Sequence, residues 1–389
     1  MEKLVYGGDA LARLDGRAVL APFALPGERI LARVEREKPG LIHARVLEVL
    51  EPAPERVAAP CPYFGRCGGC QYQHASYEFQ LAAKRAILAE SLRRIGRIEP
   101  PEEMAVIAGE PWGYRNRAQL HIEDARLGYR EARSHKLCAI ECCPISSPKI
   151  NEAIHALDGM LRDARWPRFV RLLEIFTDER GVQLNIRDAD RPVARRFFEW
   201  CATAIPGLVE GALDYEGRFR VSRGSFFQVN RFLLDRLVDS ALEGAEGETA
   251  LDLYAGVGLF SLPLARRFRE VAAVESGSSA VRDLAFNAER AGLANLRAAQ
   301  RTAEEYLGSL DCAPDFVLLD PPRAGLGPAV VKRLTALRPP RIAIVACDPA
   351  TLARDLAGLS GAGYRIEKMT LIDLFPQTCH LETAVQLVP

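Results

Sequence analysis

The spacing of apolar positions changes character along the chain. Residues 1 to 50 carry short alternating apolar and polar runs, LVYGGDALARLDGRAVLAPFALPGERILARVEREKPGLIHARVLEVL. Gly7-Gly8, Asp15-Gly16, Pro26-Gly27 and Pro39-Gly40 separate the runs. Alternation between turn residues predicts short strands, and so many in so short a span predict a small β-barrel of OB size. Such a barrel serves RNA binding or acts as a structural spacer, and the pattern leaves both open. A proline-rich linker, EPAPERVAAP, follows at 51–60. Over 78–97, EFQLAAKRAILAESLRRIGR has the helical period. Lys84, Arg85, Arg93, Arg94 and Arg97 give that helix a basic character, read as a solvated face or as a contact for phosphates.

Residues 105–220 mix strand and helix patterns without a repeat. From about 223 apolar runs and helical segments alternate: TALDLYAGVG, EVAAVESG, NLRAAQR, DFVLLDPPRAG and RIAIVACDPA. That is the pattern of a doubly wound parallel sheet. The tail from Gly363 adds two strands that could close the sheet as a hairpin. Three units are expected: a barrel over 1–55, a central α+β region over 56–222, and an α/β domain over 223–389.

Length and charge narrow the class. The 389 residues suffice for two or three domains, and 51 Lys plus Arg balance 51 Asp plus Glu. The balance argues against a strongly basic coat protein, and it leaves room for local basic patches that bind nucleic acid. The first residues lack the apolar core of a secretory signal, and no run reaches the roughly 18 apolar residues of a membrane span. A cytoplasmic protein is expected. In that reducing setting the ten cysteines are not expected to form disulfides.

ALDLYAGVGLFS sets a glycine-rich turn directly after a buried strand. Asp252, Gly256 and Gly258 would let the backbone approach a ligand at the strand's carboxyl end. Glu275 ends the next strand, where a carboxylate can accept ribose hydroxyls. Leu259, Phe260 and Ser261 replace the rest of the dinucleotide fingerprint. The pattern therefore favours S-adenosylmethionine over NAD.

Cys347 ends the apolar run RIAIVA, before Asp348-Pro349 and a helix. A thiol at a helix N-terminus has its thiolate favoured. Asp320 ends the neighbouring strand in LLDPPRAGL, and Glu382 sits in an apolar setting in HLETA. Thiol, carboxylates and a methyl donor fit one reaction. A thiolate added to carbon 6 of a pyrimidine activates carbon 5 toward methyl transfer, and a base such as Glu382 then removes the carbon 5 proton.

CPYFGRCGGCQYQH places Cys61, Cys67 and Cys70 within ten positions, and Cys138, Cys142 and Cys143 form a second group. Three thiolates with one distant cysteine suit an iron–sulfur cluster or zinc, and spacing leaves these equal. Tyr63, Phe64 and Tyr72 could stack on unpaired bases or pack around the site. ARLGYREARSHK, with Arg126, Arg130, Arg133 and Lys136, could contact phosphates or form an ordinary exposed hairpin.

With the cysteine cluster, FFQVN, DLYAGVGLFS, DPPRAGL, CDPATLARDL and HLET in this order, the chain resembles the RNA 5-methyluridine methyltransferases over essentially its whole length. It is most similar to the iron–sulfur rRNA and tRNA enzymes with an N-terminal TRAM domain. The resemblance implies a class I S-adenosylmethionine-dependent methyltransferase fold of α/β, Rossmann-like type. It implies an OB-like barrel before it and a central α+β iron–sulfur domain. It implies Cys347 as nucleophile and Glu382 as base, with Gln228, Tyr254, Gly256, Gly258, Glu275 and Asp320 around the cofactor. It further implies a [4Fe–4S] cluster on Cys61, Cys67, Cys70 and Cys143, with Cys142 the competitor for the fourth position. The implied partner is structured RNA, first large-subunit rRNA and alternatively tRNA, acted on by a monomer away from membranes.

The family usually reads Ser-Cys-Asn-Pro at the nucleophile; this chain reads Ala346-Cys347-Asp348-Pro349. A charged Asp348 would oppose thiolate formation. Two other readings remain at this stage. One is cytosine methylation by the same thiol chemistry, which Glu382 and its HLET setting disfavour. The other is an RNA-binding or folding factor whose methyltransferase site has decayed, which retention of Cys347, Asp320 and Glu382 disfavours.

Overall fold

A computed structural model describes residues 1–389. The N-terminal unit holds β1 (Lys3–Leu4), β2 (Asp9–Leu14), β3 (Arg17–Pro22), β4 (Arg29–Lys38) and β5 (Leu41–Glu51), in the order β1-β2-β3-β5-β4. The β2–β3 turn is built on Asp15 and Gly16, with φ of 50° and 78°. Two left-handed residues in succession match the twist of the flanking strands. β3 and β5 pair in parallel and the other neighbours pair antiparallel.

Glu28 fastens the linker to this unit. Its buried carboxylate accepts from the amides of Leu25 (2.7 Å) and Ala53 (3.3 Å) and from the Arg56 guanidinium. Burial alone would raise its pKa, but Arg56 and the two amides overcome that and hold it low.

α1 (Tyr77–Ser91) starts where the Ser76 hydroxyl accepts from Phe79 N, and it ends in a wide π turn over Leu92–Gly96. The solvated-face reading fails at Lys84, whose side chain is completely buried on Asp373. Ile87, Leu88 and Leu92 join the core under the C-terminal sheet. After α1, β6 (Ala105–Ile107) leaves the central region altogether and joins that sheet.

The central sheet contains β7 (Arg117–Glu123), β8 (Arg126–Arg130) and β9 (Leu137–Ala139), then β10 (Val170–Thr177) and β11 (Val182–Ala189). It is antiparallel, in the order β11-β10-β7-β8-β9. α2 (Pro148–Leu161) covers it with Ile150, Ala153, Ile154, Leu157 and Leu161, the one-sided spacing of an amphipathic helix. α3 (Arg195–Ala204) and the hairpin β12 (Leu213–Tyr215) and β13 (Phe219–Val221) complete the region.

The C-terminal part runs α4 (Leu234–Ala241), β14 (Gly247–Leu253), α5 (Ser261–Ala265), β15 (Phe268–Glu275), α6 (Ser278–Arg290) and β16 (Leu296–Gln300). It continues through α7 (Ala303–Gly308), β17 (Phe316–Leu319), α8 (Gly327–Leu337), β18 (Arg341–Ala346), α9 (Pro349–Gly361), β19 (Arg365–Ile372) and β20 (Thr383–Val388). Eight strands form one sheet, β16-β15-β14-β17-β18-β20-β19-β6, with only β20 antiparallel to its neighbours. FVLL in β17 is buried throughout, as strands covered on both faces must be. The chain leaves β14 toward β15 and β16, then returns to lay β17 on the other side. Strand order therefore reverses between β14 and β17, and a crevice opens there at the carboxyl ends. No helix is long and apolar enough to cross a membrane.

Replacing Arg56 by Ala leaves Glu28 buried with two amides and is expected to cost about 1–3 kcal/mol in denaturant unfolding. Because the carboxyl is held low, this contribution is present above the ordinary carboxylate range and lost in acid. The gap between wild type and Arg56→Ala should therefore close as pH falls.

Candidate active site

Strand ends place the reactive groups. Tyr254 follows β14, Glu275 ends β15, Asp320 follows β17 and Cys347 follows β18, all at carboxyl ends of adjacent parallel strands. Glu382 immediately precedes β20. The β18–β20 register pairs Ile342 with Leu387 and Ala346 with Thr383. One step further along the same register, Cys347 stands opposite Glu382. Thiol and carboxylate, far apart in sequence, are thus neighbours by strand pairing alone.

The crevice is rich in buried carboxylates. Burial raises Asp320, while Gln228 Nε2 donates to its Oδ2 (3.3 Å) and restrains the rise. Burial also holds Glu382 well above the usual range; Asp320 adds repulsion and Arg323 opposes it. Burial pushes Asp252 up to about 7, against the Ser261 hydroxyl that bonds it, with Asp320 and Glu275 adding repulsion. Asp252 Oδ1 is buried without a partner. Orphaned acceptors and mutually repelling acids suit a ligand that brings hydroxyls and positive charge, as an adenosyl sulfonium does.

The glycine turn forms as its spacing predicts. Gly256 and Gly258 have φ of 54° and 99°. A Cβ on Gly258 would lie 2.6 Å from Leu262, whereas at Gly256 it would meet open space. Glu275 folds back on this turn, accepting from Gly256 N at 3.1 Å and Gly277 N at 2.6 Å. Gln228 is held from the central region: its carbonyl accepts from Asn116 Nδ2 at 3.1 Å.

Two sequence expectations at the thiol need correction. The helix N-terminus does not win: burial, then Glu382 and Asp320, push Cys347 up to about 12, and Arg323 only partly opposes them. Asp348 is not the opposing charge either. Its carboxylate caps α9, accepting from Ala350 N (3.0 Å) and Thr351 N (2.9 Å), so it is engaged with the helix end.

The cysteine-rich segment gathers around a separate cavity of about 110 Å³. Cys61, Cys67, Cys70, Cys142 and Cys143 all line it, with Tyr129 beside them. Asn151 holds Cys143, accepting from its amide (2.8 Å) and donating to its carbonyl (3.1 Å). A Cβ on Gly68 would lie 3.1 Å from the Arg130 carbonyl, so β8 presses against this turn. No three His, Cys, Asp or Glu side chains are grouped closely enough to hold a metal ion. Packing claims the aromatics at two positions: Tyr72 is fully buried, and Phe64 lies against Phe23 and His74.

The family described as tRNA (Uracil-5-)-methyltransferase matches residues 209–388. A protein of Aquifex aeolicus named as an uncharacterised RNA methyltransferase is 33% identical, covering 100% of this chain and 97% of its own. The chain belongs to the RNA (uracil-5-)methyltransferase family. Another relative, the 23S rRNA (uracil(1939)-C(5))-methyltransferase of Halomonas elongata, is 36% identical over 100% of this chain and 88% of that protein. The Pyrococcus abyssi tRNA (uracil-54, C5)-methyltransferase, solved with S-adenosyl-L-homocysteine, superposes with a TM-score of 0.74 at 28% identity, covering 100% and 99% of the two chains. The fold is thus that of an S-adenosylmethionine-dependent methyltransferase.

This methyltransferase also carries groups that sequence reasoning missed. In the basic segment 125–136, Arg130 is paired with Glu123 and Arg133 with Asp9. Arg187, Arg191 and Arg223 instead line an open depression of about 640 Å³ beside β11. Asp188 and Asp190 are taken by Arg171, which leaves those three arginines without carboxylates. Arg191 stacks on Phe169 and Arg223 on Phe198. They are scattered over the sequence, so no run marked them.

The raised carboxylates set a pH signature. The folded chain holds protons on Asp320 and Glu382 that the unfolded chain releases. Their contribution is full below the ordinary carboxylate range and is lost as pH rises through the folded values. Asp320→Asn should therefore melt higher than wild type at pH 7, with the gap shrinking toward pH 4 in thermal scans.

Proposed function

We propose that the protein methylates carbon 5 of a uridine in structured RNA, with large-subunit rRNA the first candidate. The observation that supports this reading is the β18–β20 register: its last pair, Ala346 with Thr383, leaves Cys347 and Glu382 as the next residues on facing strands, near the Gln228–Asp320 pair at the switch-point crevice. The 36% identity to an rRNA enzyme favours rRNA; the likeness to a tRNA enzyme keeps tRNA as the alternative.

Cys347 Sγ adds to carbon 6 of a base turned out of its stack. In the reacting form Asp320 and Glu382 are ionised: the thiol proton passes to the Asp320 carboxylate, and the carbon 5–carbon 6 π electrons move to carbon 5 and the O4 enolate. Bound S-adenosylmethionine would supply the methyl group to carbon 5, the new carbon–carbon bond forming as the methyl–sulfur bond breaks and leaves its electron pair on that sulfur. Tyr254, Gly256, Gly258 and Glu275 hold the adenosyl part; Gln228 and Asp320 face the reacting centre. Glu382 takes the carbon 5 proton, the carbon 5–carbon 6 double bond reforms, and Sγ leaves with the bonding pair and recovers its proton from Asp320. Burial suits Glu382 to this work, since a raised pKa makes a carboxylate a stronger base.

Five cysteines line one cavity, and their thiol chemistry suits an iron–sulfur group. Cys61, Cys67, Cys70 and Cys143 would hold a [4Fe–4S] group there, with Cys143 placed by Asn151. Bound in this way the cluster would cross-link the Cys61–Cys70 loop to the Cys143 segment. The N-terminal unit reads as an OB-like barrel of the TRAM type. A groove of about 1180 Å³ between it and the central sheet would follow the RNA, and the β11 arginines would meet phosphates.

Protein purified without oxygen, given S-adenosylmethionine and separate unmodified rRNA and tRNA transcripts, should produce 5-methyluridine in rRNA by mass spectrometry. Cys347→Ala should abolish it. Methylation of tRNA alone would move the substrate, and 5-methylcytosine would overturn the uridine reading. Replacing Arg187 and Arg223 by Ala should lower the salt dependence of RNA binding by about one unit of logarithmic slope per lost phosphate contact, in filter-binding titrations.

A further inference from the structure

The segment Asp373–Glu382, between β19 and β20, is pinned carbonyl by carbonyl from elsewhere in the chain. Asn230 Nδ2 donates to Leu374 O (3.1 Å), Lys84 Nζ to Phe375 O (2.9 Å) and the Tyr114 hydroxyl to Pro376 O (3.0 Å). Gln377 O accepts from the amides of both Gln71 and Tyr72, each at 3.0 Å. Gln377 itself sits at φ 69°, a conformation a residue with a side chain keeps only when its surroundings impose it.

Gln80 supplies much of that imposition. Its Oε1 accepts from Gln377 N (2.9 Å), and its Nε2 donates to Gln377 Oε1 (3.0 Å) and to the carbonyl of Ala75 (2.9 Å). Gln71 completes the link. Its Oε1 accepts from Cys379 N (3.1 Å), three residues before Glu382, and its Nε2 donates to Gly68 O (2.9 Å). Gly68 lies between Cys67 and Cys70, inside the turn that lines the thiol cavity. One side-chain amide therefore spans the distance from the cysteine turn to the segment leading into Glu382.

Taking the methyl-transfer reading above as its basis, we propose that Gln71 and Gln80 are positioning residues for Glu382. They make the ordering of the Cys67–Cys70 turn and the placement of the carboxylate a single structural event. If the turn relaxes, the Gly68 carbonyl moves, and the planar amide of Gln71 cannot keep both of its bonds. The Cys379 amide is then released and the approach to Glu382 loosens. Cys347, fixed at the end of β18, is not reached by this chain of bonds. Loss of the link should thus spare addition of the thiol and impair removal of the carbon 5 proton.

The kinetic test uses Gln71→Met, which removes both bonds, and Gln71→Glu, which keeps an acceptor for Cys379 N and lacks the donor toward Gly68. With RNA and S-adenosylmethionine, Gln71→Met should turn over about ten- to hundred-fold more slowly. It should also accumulate a protein–RNA adduct that survives denaturing electrophoresis. Gln71→Glu should fall between Met and wild type. Adduct and turnover falling together would mark a merely structural role and overturn the proposal, as would unchanged behaviour. Cys347→Ala in either background should give no adduct.

The second test does not depend on activity. Hydrogen exchange of the full chain should show the peptide covering 377–382 losing protection in Cys70→Ser, while β14 and β17 keep theirs. Unchanged protection at 377–382 would overturn the link. Loss of protection in a protein that methylates no uridine would uphold the link and reject the proposed reaction.

Discussion

Antiparallel pairing of β20 against β18 is the constraint from which the site follows. A parallel sheet brings the carboxyl ends of its strands to one edge, which collects Tyr254, Glu275, Asp320 and Cys347 there. It cannot bring in a residue that precedes a strand. Inserting one reversed strand does so, because the start of β20 then lies beside the end of β18. A register shift of one residue would turn the neighbouring side chains of β20 to the opposite face. Burial of Leu381, Thr383, Ala384 and Val385 fixes the register on both faces.

Electrostatics follows from that placement. Sheet, helices and the crossing segment together exclude water from the acids at the crevice, and burial is the largest cause of each raised pKa there. Burial thus favours the neutral form of these acids, and a cationic ligand beside them would favour their ionisation. Positive charge entering the site is met by groups already in position, with little reorganisation. Asp348, adjacent in sequence to the thiol, takes no part because α9 claims its carboxylate.

The sequence made much of this legible, for physical reasons. Apolar runs such as DFVLLD and RIAIVACD announce buried parallel strands, and the glycines after Leu253 announce a turn that needs left-handed residues. Cys347, Asp320 and Glu275 could be placed at strand ends because each stops an apolar run. Less legible was anything decided by packing across long separations. Lys84 looks like one cation among several on a basic helix, and only the fold shows it buried on Asp373. Gln80 and Gln377 carry no chemical signature at all. The thiol's pKa was misjudged because a helix end is visible in sequence, whereas desolvation is a property of the assembled site. The arginines beside β11 escaped because they are contiguous only in space.

β6 carries a consequence for how the molecule is made. Three residues near position 106 form the last strand of a sheet whose other seven lie beyond residue 246. Synthesised early, this strand has no partner until nearly the whole chain has emerged. Conversely, a fragment beginning at residue 209 would expose one border of β19 with its peptide groups unpaired, and would leave Asp373 buried without its cation. The catalytic half is therefore not a portable module. Its completion waits on a stretch of chain from the other end, and any recombination that exchanges the front of the protein must carry that stretch along.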